Sequence, residues 1–396
     1  MGLRIKLSAM MFLQYFVFGI WLPMLAQFLG DGPGGIKLTA DQVAWMFSLY
    51  GIGALIGPAI VGQLADRYFS TEHVLAFCHI VGGFLLILSG QQTSFWPLFI
   101  LMLLYCNLYM PSMGLTNSIS FKSMGEDAFP SIRLWGTIGW IAAGNFFAYY
   151  LESKDIPALK AFYGLVGEPA ARDCLRVAGA ISLLYGLYCF ALPHTPPSPA
   201  KPTDSLDKRS AFLESLALMK DGSFAVLTCV SALIGIMLAF YFACENDFLA
   251  SIGTRPQRIG QYMTIGQVAE LVVMFFVPMA VKKLGYKYTM LIGAAFWAGR
   301  FGFSVIGSPW WLMIATIGFH GFCFGFFFVV AQMFVDSKAS EDVKASAQSL
   351  LIFLIYGVGS VTGSLLTGKV RTYFNDDWHK IWAGPFVLTK IGRAHV

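Results

Sequence analysis

The stretch from Tyr262 to Val281 constrains the fold most, because its twenty residues include one charged side chain, Glu270. An apolar helix of about 20 residues spans the hydrocarbon core of a bilayer, so we expect Glu270 near the middle of the membrane. A carboxylate there costs about 2.5–3.5 kcal/mol on insertion scales and by default indicates function. Gln267 lies three residues earlier, on the same helical face. The alternative is that Glu270 pairs with a buried arginine and ties helices together.

The composition is that of an integral membrane protein. Hydrophobic residues make up 57% of the chain and charged residues 12%, whereas soluble domains carry about 25% charged residues. The net charge of +5 comes without a block of lysine and arginine, so we expect no nucleic acid partner. The seven cysteines form no C-x-x-C pair, and all but Cys174 lie in apolar runs. They indicate small core residues, with neither a disulfide framework nor a metal site.

Hydropathy predicts eleven complete membrane spans and the start of a twelfth. The predicted spans are residues 7–29, 43–64, 72–90, 94–120, 131–151, 175–192, 223–250, 259–281, 288–306, 309–335 and 345–367. The twelfth begins near Ile381 and is truncated. Residues 391–396, IGRAHV, resemble the translation of a sequencing adapter. We therefore expect these six residues to be an artefact and the natural protein to continue past Lys390.

A charged, proline-rich segment separates the sixth and seventh spans. Residues 193–222 have the polar composition of a linker. We predict an N-terminal six-helix bundle over residues 1–192, a cytoplasmic linker, and a C-terminal bundle over residues 223–390. Two parallel six-helix repeats are the layout of a large class of transporters. Lysine and arginine are more frequent on the segments that lie inside when the N-terminus is cytoplasmic, which predicts that orientation.

The loop between the second and third spans contains a short motif. Gly62, Asp66 and Arg67 form G-x-x-x-D-R, which resembles the loop motif of the major facilitator superfamily. Glycine allows helix ends to pack closely, and a carboxylate is favoured at a helix N-terminus. We expect these residues to form a gating contact that locks one face of the two bundles shut. The alternative is a charged turn that stops translocation, which fits any loop of this kind.

Five segments resemble a narrower family. They are SIRLWGTIGW at residues 131–140, LQYFVFGIWL at 13–22, YMPSMGLTNSISF at 109–121, GQVAEL at 266–271 and KASAQ at 344–348. Together they are similar to the bacterial nucleoside:proton symporters of the major facilitator superfamily, from the first span to the eleventh. The resemblance implies uptake of a nucleoside across a bacterial inner membrane, driven by the proton gradient and carried out by alternating access.

The resemblance also implies a set of substrate-binding residues, which are Arg133, Thr137, Trp140, Gln267, Glu270 and Phe324. Their chemistry suits a nucleoside, which offers hydroxyls, carbonyls and a flat ring. Arg133 and Gln267 can donate hydrogen bonds to oxygens, and Glu270 can accept them from hydroxyls. Trp140 and Phe324 can stack on the base. The structural alternatives are an interfacial anchor for Arg133, a partly core position for Trp140 and a backbone hydrogen bond for Thr137.

Four positions depart from the family. Its substrate-facing glutamine and asparagine on helix seven fall on Ala239 and Phe242. On helix ten its acidic residue falls on Gly325 and a neighbouring tyrosine on His320. Since Gly325 is uncharged, Glu270 is the best remaining proton carrier. Burial favours the protonated form of a carboxylic acid. His320 is a second candidate, and its alternative is a satisfied packing residue.

Three further charged residues receive less specific interpretations. Arg300 also matches the family, and we interpret it as structural. Glu245 and Asp247 lie near the predicted outer end of helix seven. They either guard an entrance or are simply solvated.

Two other functions compete with nucleoside symport. A major facilitator porter for sugars or other small polar solutes is favoured by the lost helix-seven amides. A membrane-embedded enzyme or a sensor is disfavoured, because the sequence shows no H-E-x-x-H motif, no paired aspartate motif and no signalling domain. We predict a transporter and not an enzyme, with no cofactor and no metal. We expect it to act as a monomer in the lipid bilayer, with a nucleoside and a proton as ligands.

Overall fold

The computed structural model describes residues 2–32, 34–57, 60–61, 64–65, 68–160, 163–164, 167–196, 218–338, 347 and 350–395. Its α-helices are α1 Leu3–Trp21, α2 Leu25–Leu29, α3 Ala40–Gly57, α4 Thr71–Ser89, α5 Phe95–Glu152, α6 Asp173–Cys189, α7 Gly222–Ser251, α8 Ile259–Ile306, α9 Trp310–Ile317, α10 Phe319–Phe322, α11 Val330–Lys338, α12 Ser360–Phe374 and α13 Trp378–His395. Two π-helical segments cover Cys323–Val329 and Phe353–Gly359. Short 3-10 turns cover Ser153–Asp155, Pro157–Leu159, Leu218–Lys220 and Pro256–Arg258. The all-α fold class is thus confirmed.

Two long helices contain a glycine that divides them. Gly125 in α5 has φ 75° and Gly285 in α8 has φ 77°. Glycine adopts positive φ without the steric cost of a side chain. Both glycines lie in predicted loops. Gly125 lies between the predicted spans 94–120 and 131–151, and Gly285 lies between the predicted spans 259–281 and 288–306.

Seven helical stretches among the described residues are long and apolar enough to cross a membrane. The stretch Ile259–Ile306 counts once here, although the sequence predicts two spans within it. The first predicted span, 7–29, is less regular than expected, because residues 22–24 form a turn between α1 and α2. The predicted twelfth span corresponds to α13.

The chain divides into two compact units. Unit 1 comprises residues 1–199 and 255–264, and unit 2 comprises residues 200–254 and 265–396. The start of α8 is therefore part of unit 1. Just before α8, Arg258 Nε donates to Glu152 Oε1 at 2.6 Å. Within α8, Gly260 approaches Gly144 so closely that no room is left for a side chain at Gly144. The division into bundles at residues 192 and 223 stays a prediction.

Unit 1 contains a buried polar network that joins four helical segments. Gln14 Nε2 on α1 donates to Ser112 Oγ on α5 at 2.8 Å, and Gln14 Oε1 lies 2.9 Å from His79 Nε2 on α4. The second ring nitrogen of His79 lies 3.0 Å from Ser182 Oγ on α6. Tyr109 O–H donates to the Gln14 carbonyl at 2.7 Å. Buried polar groups are costly unless they are paired. The network therefore holds α1, through Gln14, in a defined position against α4 and α5.

Unit 2 is organised around α7. Asp221 accepts hydrogen bonds from the backbone N–H groups of Ser223 at 2.8 Å and Phe224 at 3.3 Å, which begins the helix at a preferred N-cap residue. The hydrogen bond from the Ser223 hydroxyl, followed by those from the backbone N–H groups of Phe224 and Ser223, lowers the pKa of Asp221 to about 2. In the middle of α7, Gly235 lets the backbone of Ile355 approach, and a Cβ at Gly235 would lie 2.5 Å from the Ile355 carbonyl oxygen.

Candidate functional site

Arg133 lies in the second segment of α5 and is partly exposed. Its guanidinium carbon is 4.0 Å from the centroid of the Tyr15 ring on α1. Within the ranges that the structure describes, the guanidinium forms no hydrogen bond and no ion pair. Five N–H donors of Arg133 are therefore uncommitted. Sequence reasoning identified Arg133 but not Tyr15.

Thr137 and Trp140 follow Arg133 at one and two helical turns, and both are partly exposed. The Trp140 ring meets the edge of Phe18 with centroids 5.3 Å apart. Phe18 in turn packs on Tyr109 at 5.1 Å. Trp140 is thus anchored on one side by the aromatic core of unit 1, as its structural alternative predicted, while part of its surface stays open. Arg133, Thr137 and Trp140 form one stripe, as their spacing indicates.

Gln267 and Glu270 lie on α8 in unit 2, and both are partly exposed. The side-chain oxygen of Gln267 is buried and has no hydrogen-bond partner among the described residues. An unpaired polar atom in an apolar span is costly. Gln267 therefore presents an acceptor that a ligand donor would satisfy.

Glycines bring α8 and α10 into backbone contact beside these two residues. A Cβ on Gly321 would lie 2.6 Å from the Ala269 carbonyl oxygen and 2.6 Å from the Glu270 nitrogen. A Cβ on Gly266 would lie 3.0 Å from His320 Cβ. Small residues at such contacts allow membrane helices to approach closely. The position of the Glu270 backbone is therefore set by Gly321.

His320 and Phe324 belong to an aromatic cluster of unit 2. His320 is buried and stacks on Tyr241, with centroids 5.6 Å apart. Its ring lies 5.9 Å from Phe324, which is partly exposed. His320 Nδ1 has no hydrogen-bond partner in the part of the chain described. His320 thus packs as a core aromatic residue, with one ring nitrogen unpaired among the described residues.

Gly325 lies in the π-helical segment and is buried. A Cβ there would lie 3.0 Å from Val273 Cγ1 and 3.6 Å from Val277 Cγ2. The neighbours of Gly325 on α8 are therefore apolar. The other two departures behave similarly, since Ala239 is buried and Phe242 packs on Tyr241 at 5.2 Å.

Glu245 and Arg300 form a buried ion pair that sequence reasoning missed. Arg300 Nη2 donates to Glu245 Oε1 at 3.1 Å, and the two residues are 3% and 0% exposed. The alternative that Glu245 is simply solvated was therefore wrong. No signal in one sequence pairs two residues on different helices. The interpretation of Arg300 as structural agrees with its burial.

Two predictions remain, the one for Asp247 and the one for the loop motif. Arg371 Nη1 donates to Asp247 Oδ2 at 2.8 Å, so Asp247 is paired and partly buried. Gly62, Asp66 and Arg67 lie outside the described residues, and their gating role stays a prediction. No group of three or more potential metal ligands occurs among the residues that were placed.

Comparisons with known proteins identify the family of this chain. The sequence model of the family described as Nucleoside H+ symporter matches residues 1–393. YegT of Escherichia coli (strain K12) is 35% identical and covers 98% of this chain and 91% of its own. The xanthosine permease of the same organism is 29% identical, with coverages of 96% and 92%.

Solved structures agree with the family match. The crystal structure of the nucleoside transporter NupG has a TM-score of 0.81 at 27% identity and covers 100% of this chain and 99% of its own. A bacterial homologue of the human lysosomal transporter Spinster has a TM-score of 0.74 at 13% identity, with coverages of 99% and 95%, and shares the fold alone. The chain therefore belongs to the nucleoside H+ symporter family and has the fold of the major facilitator transporters.

Proposed function

We propose that this chain imports nucleosides by proton symport through alternating access, and that it binds them with Arg133, Thr137, Trp140, Gln267, Glu270 and Phe324. The proposal rests on two side chains that have hydrogen-bonding groups without a partner among the described residues. Arg133 has uncommitted donors in unit 1, and Gln267 has a buried uncommitted acceptor in unit 2, each judged against the described residues. A nucleoside carries acceptors of the kind that suit Arg133 and donors of the kind that suit Gln267.

Each side chain has a distinct part in the proposal. Arg133 donates to carbonyl or hydroxyl oxygens of the nucleoside, and Gln267 accepts from an N–H or hydroxyl group. Glu270 accepts from a ribose hydroxyl. Trp140 and Phe324 are partly exposed aromatic rings that can stack on the base. Discrimination is strong where a site has built-in polar partners, because a substrate without the matching group leaves them unpaired.

Glu270 is the proposed proton carrier. It is the one charged side chain of the apolar stretch 262–281, and an ionisable residue within such a stretch is a typical element of a proton pathway. Moving one charge through the membrane potential releases about 2.3 kcal/mol per 100 mV, which is enough to concentrate a neutral solute. His320 is the second candidate, although its ring is packed between Tyr241 and Phe324.

The remaining parts of the proposal concern the cellular setting. We place the chain in the bacterial inner membrane with a cytoplasmic N-terminus, which the lysine and arginine distribution favours. In this proposal it acts as a monomeric transporter and not as an enzyme, because the family to which the chain belongs is one of transporters. The gating role predicted from the sequence for Gly62, Asp66 and Arg67 is part of this proposal.

Uptake of labelled uridine tests the function. The chain is expressed in a bacterial strain without nucleoside uptake of its own, with and without a protonophore. We expect accumulation against a gradient that the protonophore abolishes. Unlabelled nucleosides should compete with uridine, whereas sugars should not. Competition by sugars without competition by nucleosides would support the sugar porter, which the family match does not favour.

A further inference from the structure

We infer that Tyr15 is a positioning residue. The face of its ring contacts the guanidinium of Arg133, so that all the N–H groups of Arg133 stay available to the substrate. The inference rests on the proposed role of Arg133 in binding nucleosides. Its basis is the contact between the Arg133 guanidinium carbon and the Tyr15 ring centroid, 4.0 Å apart. A cation at this distance over an aromatic face is attracted by the ring quadrupole.

The way in which Arg133 is held matters for its chemistry. A carboxylate partner would occupy one or two N–H groups of a guanidinium, because Arg and carboxylate bind edge to edge. An aromatic face occupies none, since it contacts the plane of the group and leaves the edge open. In the described part of the structure, Arg133 is held by Tyr15 and makes no hydrogen bond. Tyr15 therefore orders Arg133 without competing with the substrate.

Gly136 leaves the space in which this contact forms. A Cβ at Gly136 would lie 2.6 Å from Tyr15 Cδ2 and 2.7 Å from Arg133 Nη1. Any side chain at that position would therefore displace the ring or the guanidinium. Gly136 is one helical turn after Arg133 and lies on the same face of the helix.

Tyr15 is itself fixed by its neighbour in the chain. Gln14 is fully buried and bonded to Ser112, His79 and Tyr109 through its side chain and its carbonyl. These hydrogen bonds determine the rotation of α1 about its axis. The direction in which the Tyr15 ring projects follows from that rotation. A preorganised arginine loses less side-chain entropy when the substrate binds.

The first experiment compares uridine uptake kinetics for Tyr15→Phe, Tyr15→Leu and Phe16→Leu. Tyr15→Leu removes the aromatic face, and we expect KM to rise about two- to thirtyfold with the maximal rate unchanged. Tyr15→Phe keeps the face and should retain the KM of the unmodified protein. Phe16→Leu is the matched control, because Phe16 packs on Phe12 and not on Arg133. An equal rise for Tyr15→Phe and Tyr15→Leu would mean that the hydroxyl is what matters and would overturn the inference.

Two further variants separate the contact from general damage to the fold. Phenylalanines carrying one to three ring fluorines, incorporated at Tyr15, keep the shape but weaken the negative face of the ring. KM should therefore rise with each fluorine. In the background of Arg133→Ala, Tyr15→Leu should cause no further change in KM. A second rise in that background, or a KM that is indifferent to fluorination, contradicts the inference.

A measurement independent of transport distinguishes the failure of this inference from that of the proposed function. The protein is labelled with ¹⁵N-arginine, purified in detergent and studied by NMR, and Arg133→Lys assigns the resonance. The Arg133 N–H protons should be shifted upfield by the Tyr15 ring current, and Tyr15→Leu should remove the shift. If the resonance stays in place, the stack does not exist, whatever the transport result. If it moves and the unmodified protein takes up no nucleoside, the proposed function fails and the contact stands.

Discussion

Arg300 donates a hydrogen bond of 3.1 Å to Glu245, and the two side chains are 0% and 3% exposed. The guanidinium of Arg300 also lies over the Tyr241 ring, with its carbon 4.0 Å from the ring centroid. Tyr241 stacks on His320, which contacts Phe324. The ion pair thus supports, through Tyr241, the aromatic cluster that includes a proposed substrate-binding residue.

Breaking the Glu245–Arg300 pair on one side should be strongly destabilising. Glu245→Gln leaves a buried cation without its counter-charge, which costs about 3–5 kcal/mol. The midpoint of thermal unfolding of the purified protein measures the effect. The double variant Glu245→Met with Arg300→Met should recover much of the loss, because it removes both charges. Glu168→Gln, at an exposed position, is the control that should change little. A single variant as stable as the control would show that the pair is not buried from solvent.

Glu270→Gln should abolish accumulation driven by protons and leave exchange of nucleoside across the membrane. Glutamine keeps the size and the acceptor oxygen of Glu270 but cannot carry the proton. The measurement is counterflow of labelled uridine beside uptake with an imposed pH gradient. Glu168→Gln serves again as the matched control. If the Glu270→Gln protein still concentrates uridine when a pH gradient is applied, another group carries the proton, and His320→Ala is the next variant to test.

Arg133→Ala should weaken nucleoside binding at least about tenfold. Hydrogen bonds to a charged donor contribute about 1.5–3 kcal/mol, and 1.4 kcal/mol corresponds to a factor of about ten in affinity. Titration calorimetry with uridine on the purified protein measures the change. Arg172→Ala removes an exposed arginine and should leave the affinity unaltered. Equal affinities for Arg133→Ala and the unmodified protein would return Arg133 to the role of an interfacial anchor.

Gly321→Ala should reduce both stability and transport. The added methyl group would collide with the backbone of Ala269 and Glu270, and overpacking of this kind costs about 1–3 kcal/mol. The helix that carries Glu270 must shift to relieve the clash. Gly114→Ala is the matched control, since a Cβ at Gly114 has no neighbour within 4 Å in the described structure. Thermal unfolding and the uridine KM, measured on both variants, should separate them clearly.

The start of α7 should be insensitive to pH in the neutral range. The pKa of Asp221 is lowered to about 2 by hydrogen bonds from Ser223 and Phe224. A depressed pKa means that the stabilisation is complete above the pKa of the unfolded chain and is lost as pH falls through the folded value. Hydrogen-exchange protection of the first amides of α7 should therefore be constant from pH 5 to 8 and lower in Asp221→Ala. A loss of protection between pH 5 and 6 would contradict this assignment.

The length of the apolar runs was enough to predict an all-α membrane fold, because a bilayer leaves a long apolar stretch few alternatives to a helix. Short motifs such as R-x-W-G-T-x-G predicted the family, and the family match confirms it. The breaks at Gly125 and Gly285 fall in loops that hydropathy predicted, and glycine favours such breaks because its backbone adopts positive φ at little cost.

Contacts between helices could not be predicted in the same way. The stack of Arg133 on Tyr15 joins residues that are far apart in the chain, and the Glu245–Arg300 pair joins residues separated by 55 positions. From hydropathy, Glu245 can be identified only as a charged residue near the end of a predicted span. Whether such a charge is solvated or paired depends on which helix packs against it. The sequence by itself therefore determined the helices, the family and the types of polar group that the helices carry. Only the tertiary structure decided which polar groups meet, because the rotation and packing of helices depend on contacts between residues distant in the chain.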